Sequence, residues 1–156
     1  MIQQKYKTLL FSTLLVGTMA FAESTPVGIW LTIDDTTHQP KSLIQITRSN
    51  DGILSGKVVR GMPVDHPERI CSKCTDDRKD QKIKGMSIIR NMKKEGDEWD
   101  GGKILDPDNG KEYSCKMRLE ENGAKLVVRG YIGFSLLGRS QTWVRQNDEI
   151  AEQAKK

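Results

Sequence analysis

Apolar positions in this chain recur in short bursts with a spacing of two, separated by clusters of Gly, Asn, Asp and Pro. The clearest burst is Tyr113–Leu119, where Tyr113, Cys115, Met117 and Leu119 alternate with Ser114, Lys116 and Arg118. Successive side chains of a strand point to opposite faces, so this pattern predicts a strand with one face buried. Comparable runs at Ile29–Ile33, Ser42–Thr47, Ile53–Arg60, Met86–Met92, Trp99–Leu105, Lys125–Ile132 and Gln141–Arg145 bring the predicted strands to eight. The connections Asn50-Asp51-Gly52, Lys94–Asp97, Asp106–Gly110 and Glu120–Gly123 carry turn chemistry. One connection differs: Gly61 to Lys82 is long and irregular, with two prolines, His66, Cys71 and Cys74.

No amphipathic helix is long enough for a crossover between parallel strands, so the strands pair antiparallel. A sandwich is one solution. Hairpin-length connections favour the other, an all-β, eight-stranded up-and-down barrel, which leaves no free edge and encloses at most one small ligand. Gly56, Gly101-Gly102 and Gly130 interrupt predicted strands. They are expected to bend or bulge the barrel wall, the alternative being that they open room for a ligand.

The N-terminus obeys different rules. Lys5 and Lys7 precede an uncharged, apolar stretch that ends at Ala20-Phe21-Ala22. A positive start, a short apolar centre and small residues at the end make a secretory signal peptide, with cleavage expected after Ala22. The stretch is too short to span a bilayer, and no later segment is long and apolar enough to do so. The expected organisation is therefore a signal peptide at 1–22, a barrel domain at 23–146 and a charged tail at 147–156, read as solvated helix or disorder. The expected location is periplasmic or extracellular.

Charge adds little. The net charge of +4 includes the two lysines of the leader, so the remainder carries only +2, a weak case for nucleic acid as a partner. The cysteines say more. In an oxidising compartment Cys71 and Cys74 are expected to form a disulfide. The alternatives are a bridge from either one to Cys115, a metal site or redox chemistry. Cys115 sits on the apolar face of its strand and reads as a buried thiol. Asp106–Gly110 superficially resembles a calcium loop, but Lys111 and Met117 occupy the positions that need Gly and Glu. The two histidines, His38 and His66, lie in polar loops, and no nucleophile–base constellation is visible. No catalytic residue, metal site or cofactor is expected.

Gly28-Ile29-Trp30 opens the first strand and Trp143-Val144-Arg145 closes the last. This arrangement resembles the lipocalin and calycin pattern, which implies that Trp30 packs across the barrel floor against Arg145, with Arg139 as the second choice. A guanidinium stacked on an indole would shut that end while its hydrogen bonds join the chain ends. A longer series occurs in one order: Gly28-Ile29-Trp30, Cys71–Cys74, Trp99–Pro107, Gly110–Tyr113, Arg129–Gly133, Leu137–Arg139 and Thr142–Arg145. It resembles a family of small exported bacterial proteins catalogued as domain of unknown function 2147. The resemblance implies a lipocalin-like barrel and brings no activity or substrate with it.

Beyond the leader there are only six aromatic residues, Trp30, Trp99, Tyr113, Tyr131, Phe134 and Trp143, which favours a partly unfilled interior. Tyr113, Met117, Val128 and Phe134 are the expected cavity residues. The apolar segment Gly133–Gly138 is expected to fold as a short 3₁₀ turn that plugs one barrel end. Binding of a small apolar or amphipathic ligand is the leading functional expectation. The alternative is a filled barrel that engages another envelope component through residues 61–82, since long loops on rigid scaffolds commonly carry function.

Overall fold

The structure is a computed structural model that describes residues 24–62, 68–147 and 149–150; the expected leader, His66 and the end of the tail lie outside them. Eight strands follow one another: β1 (Gly28–Ile33), β2 (Pro40–Arg48), β3 (Leu54–Gly61), β4 (Ser87–Glu95), β5 (Glu98–Asp106), β6 (Lys111–Glu120), β7 (Lys125–Tyr131) and β8 (Arg139–Arg145). Each pairs antiparallel with its neighbours in sequence, and β8 returns to β1 to close the barrel. The sheet has no crossover, as the short connections require.

Alternation along the strands builds the core. Trp30, Ile44, Ile46, Leu54, Val58, Ile89, Met92, Trp99, Met117, Leu126, Val128 and Trp143 point inward and are buried in one cluster. Cys115 is fully buried on the same face of β6, and burial, reinforced by the negative charge of Asp100, pushes its thiol pKa up to about 12. On the outer face, Ile29 and Leu43 form a second apolar patch, against which Ile150 packs. Of the tail, Asn147, Glu149 and Ile150 are described; Glu149 and Ile150 are helical, and Asn147 and Glu149 are exposed.

The glycine expectations divide. At Gly101-Gly102 the β5–β6 register shifts between Trp99 and Gly102, a bulge, and a Cβ on Gly102 would lie 2.5 Å from the Arg90 carbonyl oxygen. The β3–β4 register also shifts at Gly56. Gly130 produces no shift in either ladder it joins, so it forms no bulge.

At the floor, the Arg145 guanidinium lies 4.2 Å from the centre of the Trp30 ring. It donates to the carbonyl oxygens of Gly123 at 2.6 Å, Val27 at 2.9 Å and Thr25 at 2.6 Å. The Trp30 indole donates to the Pro26 carbonyl at 2.7 Å. Gly28 is glycine for a reason visible here. Its φ of +141° suits no other residue well, and a Cβ would sit 2.8 Å from Arg145 Nη1. Arg139, the second choice for this role, lies at the opposite end of β8.

Candidate functional site

Because the strands run up and down in order, the β1–β2, β3–β4, β5–β6 and β7–β8 connections gather at the end opposite Trp30. There the barrel is unfilled. A cavity of about 610 Å³ opens between the upper ends of the strands. Its apolar lining comes from Ile88, Ile104, Leu105, Val128 and Trp143, and its rim from Asp34, Asp35, Lys41, Asp106, Asn109, Arg139 and Gln141. Gly130 lines it too. A Cβ there would meet Tyr113 Cβ at 3.4 Å and Ile104 Cγ2 at 3.5 Å, two residues that line the same space. The bulge expected at Gly130 is absent, and the residue lines the cavity.

Of the four expected cavity residues, Tyr113 and Val128 line the space. Met117 points inward but is fully buried in the packed part of the core. Phe134 is corrected outright: it is 79% exposed and points away from the barrel. Gly133–Gly138 does contain the expected 3₁₀ turn, at Ser135–Leu137, but Leu137 and Gly138 border the cavity and leave it open. Its conformation is set by the Arg129 side chain, which donates to the Ser135 carbonyl at 2.7 Å, the Leu136 carbonyl at 3.3 Å and Ser140 Oγ at 3.0 Å. Those bonds hold the backbone against the wall and turn the apolar side chains outward.

The rim is polar, and most of its groups are engaged with one another. Asp34 Oδ1 accepts from the Thr36 and Thr37 amides at 3.0 and 2.8 Å and from the Thr37 hydroxyl at 3.1 Å, which lowers its pKa to about 2. Asp35 forms an ion pair with Arg139 and accepts from Gln141 Nε2 at 2.6 Å. This link matters because β1 and β8 pair only at Trp30–Arg145 and Leu31–Val144, so side chains join the two strands above that point. Asp106 accepts from the Asp108 amide at 3.0 Å and from Asn109 Nδ2 at 2.9 Å. Burial works against the charge of Lys41, but Asp108 at 2.7 Å outweighs it and holds the ammonium pKa above its ordinary value. Deeper in, Thr32 and Ser42 share a hydrogen bond at 2.8 Å. The Tyr113 hydroxyl accepts from Asn109 Nδ2 at 3.1 Å, which leaves its proton to donate.

The β3–β4 connection packs over the β5–β6 turn. Cys71 and Cys74 are joined in a disulfide, and both sulfurs are buried with the core cluster. A zinc site would need those two thiolates. The loop is seated on the β5–β6 turn, where a Cβ on Gly110 would lie 2.8 Å from the Cys74 amide nitrogen. Arg78, only 3% exposed, pairs with Asp76 and with Glu112 at 2.5 Å and donates to the Ser87 carbonyl at 3.2 Å. Its hydrogen bonds lower the Asp76 pKa to about 2. Arg69 and Asp108 add an ion pair at 2.5 Å, and Arg90 and Asp77 another at 2.8 Å. Sequence reading missed Arg78, Asp35 and Gln141 as partners. Each stands among charged or polar neighbours, where a solvated surface is the ordinary outcome. Among the described residues, no group of three or more His, Cys, Asp or Glu is placed to hold a metal ion.

This architecture has a counterpart among solved structures. A protein from the human pathogen Helicobacter pylori, HP1028, described as belonging to the lipocalin family, superposes with a TM-score of 0.68 over 83% of this chain and 88% of that one. The two are 20% identical, a likeness of fold alone. No curated protein matches the chain. The family model described as "Uncharacterized protein conserved in bacteria (DUF2147)" matches residues 28–145, from the glycine ahead of the floor tryptophan to the arginine that covers it. The chain, a lipocalin-like barrel, belongs to that family.

Proposed function

We propose that this protein binds one small apolar or amphipathic molecule in the mouth of its barrel and does no chemistry on it. The observation that carries this reading is the cavity of about 610 Å³, apolar at its base and polar at its rim. That volume lies within the ~300–1,000 Å³ of ordinary small-ligand pockets. The apolar part of the ligand rests on Ile88, Ile104, Val128 and Trp143, and its polar end meets the Tyr113 hydroxyl and the rim. Binding without catalysis fits the state of the carboxylates. Asp34, Asp35 and Asp106 each accept hydrogen bonds from fixed donors, and Asp34, with its pKa near 2, holds no proton to give at neutral pH. The protein acts after export, in the periplasm or outside the cell; the pattern of residues 1–22 and the Cys71–Cys74 disulfide support this.

A displacement titration with a fluorescent fatty acid tests the reading. Saturation at one site per chain is expected, and Gly130→Leu, which puts a side chain into the cavity where the backbone is ordinary, is expected to weaken it by about tenfold or more. Binding that does not saturate, or that Gly130→Leu leaves untouched in a protein that still unfolds at the parent temperature, contradicts it.

A further inference from the structure

The wall of the cavity is not uniform around the barrel. Ile88, Ile104, Leu105 and Val128, from β4, β5 and β7, make an apolar side. Thr32, Asp34, Asp35 and Thr36, in β1 or just after it, make a polar side together with Arg139 and Gln141 of β8. In a closed barrel of eight strands in order, the β8–β1 seam lies opposite the β4–β5 seam. The two sides therefore face each other across the space.

The polar side coincides with the least-paired seam of the sheet. β1 meets β2 at six ladder positions and β7 meets β8 at six, but β1 and β8 pair only at Trp30–Arg145 and Leu31–Val144. Above Leu31 no ladder pair joins them, and residues from both edges of this gap line the cavity. Side chains bridge it: Asp35 holds Arg139 and Gln141, and Gln141 Oε1 in turn accepts from the Trp143 indole at 3.2 Å. A ligand lying against the apolar side presents its polar end to this gap.

The groups around the gap decide which polar end fits. Both cations of the lining are already engaged: Lys41 with Asp108 at 2.7 Å and Asp34 at 3.6 Å, Arg139 with Asp35. An anionic head would have to share one of them with a carboxylate that already holds it. Acceptors, by contrast, are in surplus. The bonds to Asp35 end on Oδ2, which leaves Oδ1 able to accept. Asp106 accepts from the Asp108 and Asn109 amides and has no cation within ion-pair distance among the described residues. With Asp34, Asp35 and Asp106 set against Lys41 and Arg139, the field at the mouth disfavours a second carboxylate and favours a donor.

We propose that the gap between β1 and β8 is the polar half of the binding site and selects ligands by their hydrogen-bond donors, a protonated amine before an alcohol and an alcohol before a carboxylate on the same apolar chain, with Asp35 reading the difference. This rests on the cavity reading above, in which a fatty acid enters by its apolar part; its head group then costs affinity without preventing entry. The test compares decylamine, decanol and decanoate at neutral pH as competitors of the uncharged fluorescent probe N-phenylnaphthylamine. Decylamine is expected to displace the probe at a concentration about tenfold lower than decanoate, with decanol between them. Added salt is expected to shrink that ratio, because the carboxylates at the rim are half-exposed. Asp35→Asn keeps an oxygen for Gln141 but loses the charge, and is expected to narrow the ratio to about threefold or less. Glu120→Gln removes the same charge at the floor end of β6 and is expected to leave the ratio as it is. Equal displacement by the three compounds, decanoate ahead of decylamine, or a ratio that Asp35→Asn does not change overturns the proposal. The fatty-acid titration and Gly130→Leu report on the cavity by themselves, so the selection can fail while the cavity stands. A protein with no saturable site for any of these compounds overturns both.

Discussion

Arg145 ties two separated stretches of chain to the barrel floor through one guanidinium. Its carbonyl partners at Thr25, Val27 and Gly123 belong to the segment before β1 and to the β6–β7 turn, and its face covers Trp30. A partly desolvated cation–π contact contributes on the order of 2 kcal/mol. Arg145→Ala is therefore expected to cost about 2–4 kcal/mol in urea unfolding, since the carbonyls lose their donor as well. Arg145→Lys is expected to recover less than half, because an ammonium cannot reach three acceptors from one plane. Ligand affinity is expected to stay unchanged in both, since the floor and the cavity are at opposite ends. Cys115 makes a different prediction. With a thiol pKa near 12 when folded, against an ordinary 9.0, the native state holds a proton that the unfolded chain gives up first. Its contribution to stability is thus fully present below pH 9.0 and lost as the pH rises toward 12. A denaturant series across that range is expected to show the decline, and Cys115→Ala to remove that part of it. Iodoacetamide at pH 8 is expected to label Cys115 only after unfolding, as read by peptide mapping.

At the scale of elements, the strands and the long connection differ in how their sequences declare them. All eight strands were legible to within a few residues, because one face of each is buried and the period of two survives in the side chains. Tyr113–Leu119 within β6 shows this most plainly. The β3–β4 connection has no such period. Asp76-Asp77-Arg78-Lys79-Asp80 has the look of a solvated charge run, yet Arg78 is buried against the wall and holds the loop through Glu112 and the Ser87 carbonyl. The Cys-x-x-Cys spacing permitted a small disulfide ring, but nothing in it indicated that the ring would join the core. A closed ring of this size removes little chain entropy, so the bridge shapes the loop more than it stabilises the barrel. Hydrogen exchange is expected to show that reduction, or Arg78→Leu, releases residues 69–83 while the strands keep their protection. Acid acts on the same anchor. The Arg78 hydrogen bonds lower the Asp76 pKa from 3.8 to about 2, so the contribution of this pair is present above pH 3.8 and lost as the pH falls through about 2. An NMR titration is expected to show the loop resonances moving in that window. Loop protection that is indifferent to both reduction and Arg78→Leu would remove the anchoring role.

For the whole molecule, closure was readable from its two ends, because Gly28-Ile29-Trp30 and Arg145 carry chemistry that a barrel floor requires. The position of the empty space was not. Which end of a barrel stays unfilled depends on how side-chain volumes sum across all eight strands, and no local pattern records that sum. Gly130 illustrates the difficulty: an interrupted strand reads more readily as a bend than as a gap, yet here its ladders carry no register shift and it lines the cavity. Phe134 shows the converse. Its segment is apolar enough to enter the barrel, but Arg129 holds the backbone of the turn, Phe134 stays exposed, and the mouth remains open. The result is a molecule closed by Arg145 at one end, open at the other, and marked beside the opening by an apolar turn. Native mass spectrometry of the protein isolated from the cells that make it tests the central claim most directly. The account predicts a species heavier than the bare chain by one small molecule, absent from Gly130→Leu prepared in the same way. A bare chain in both preparations, or the same added mass retained by Gly130→Leu, would contradict it.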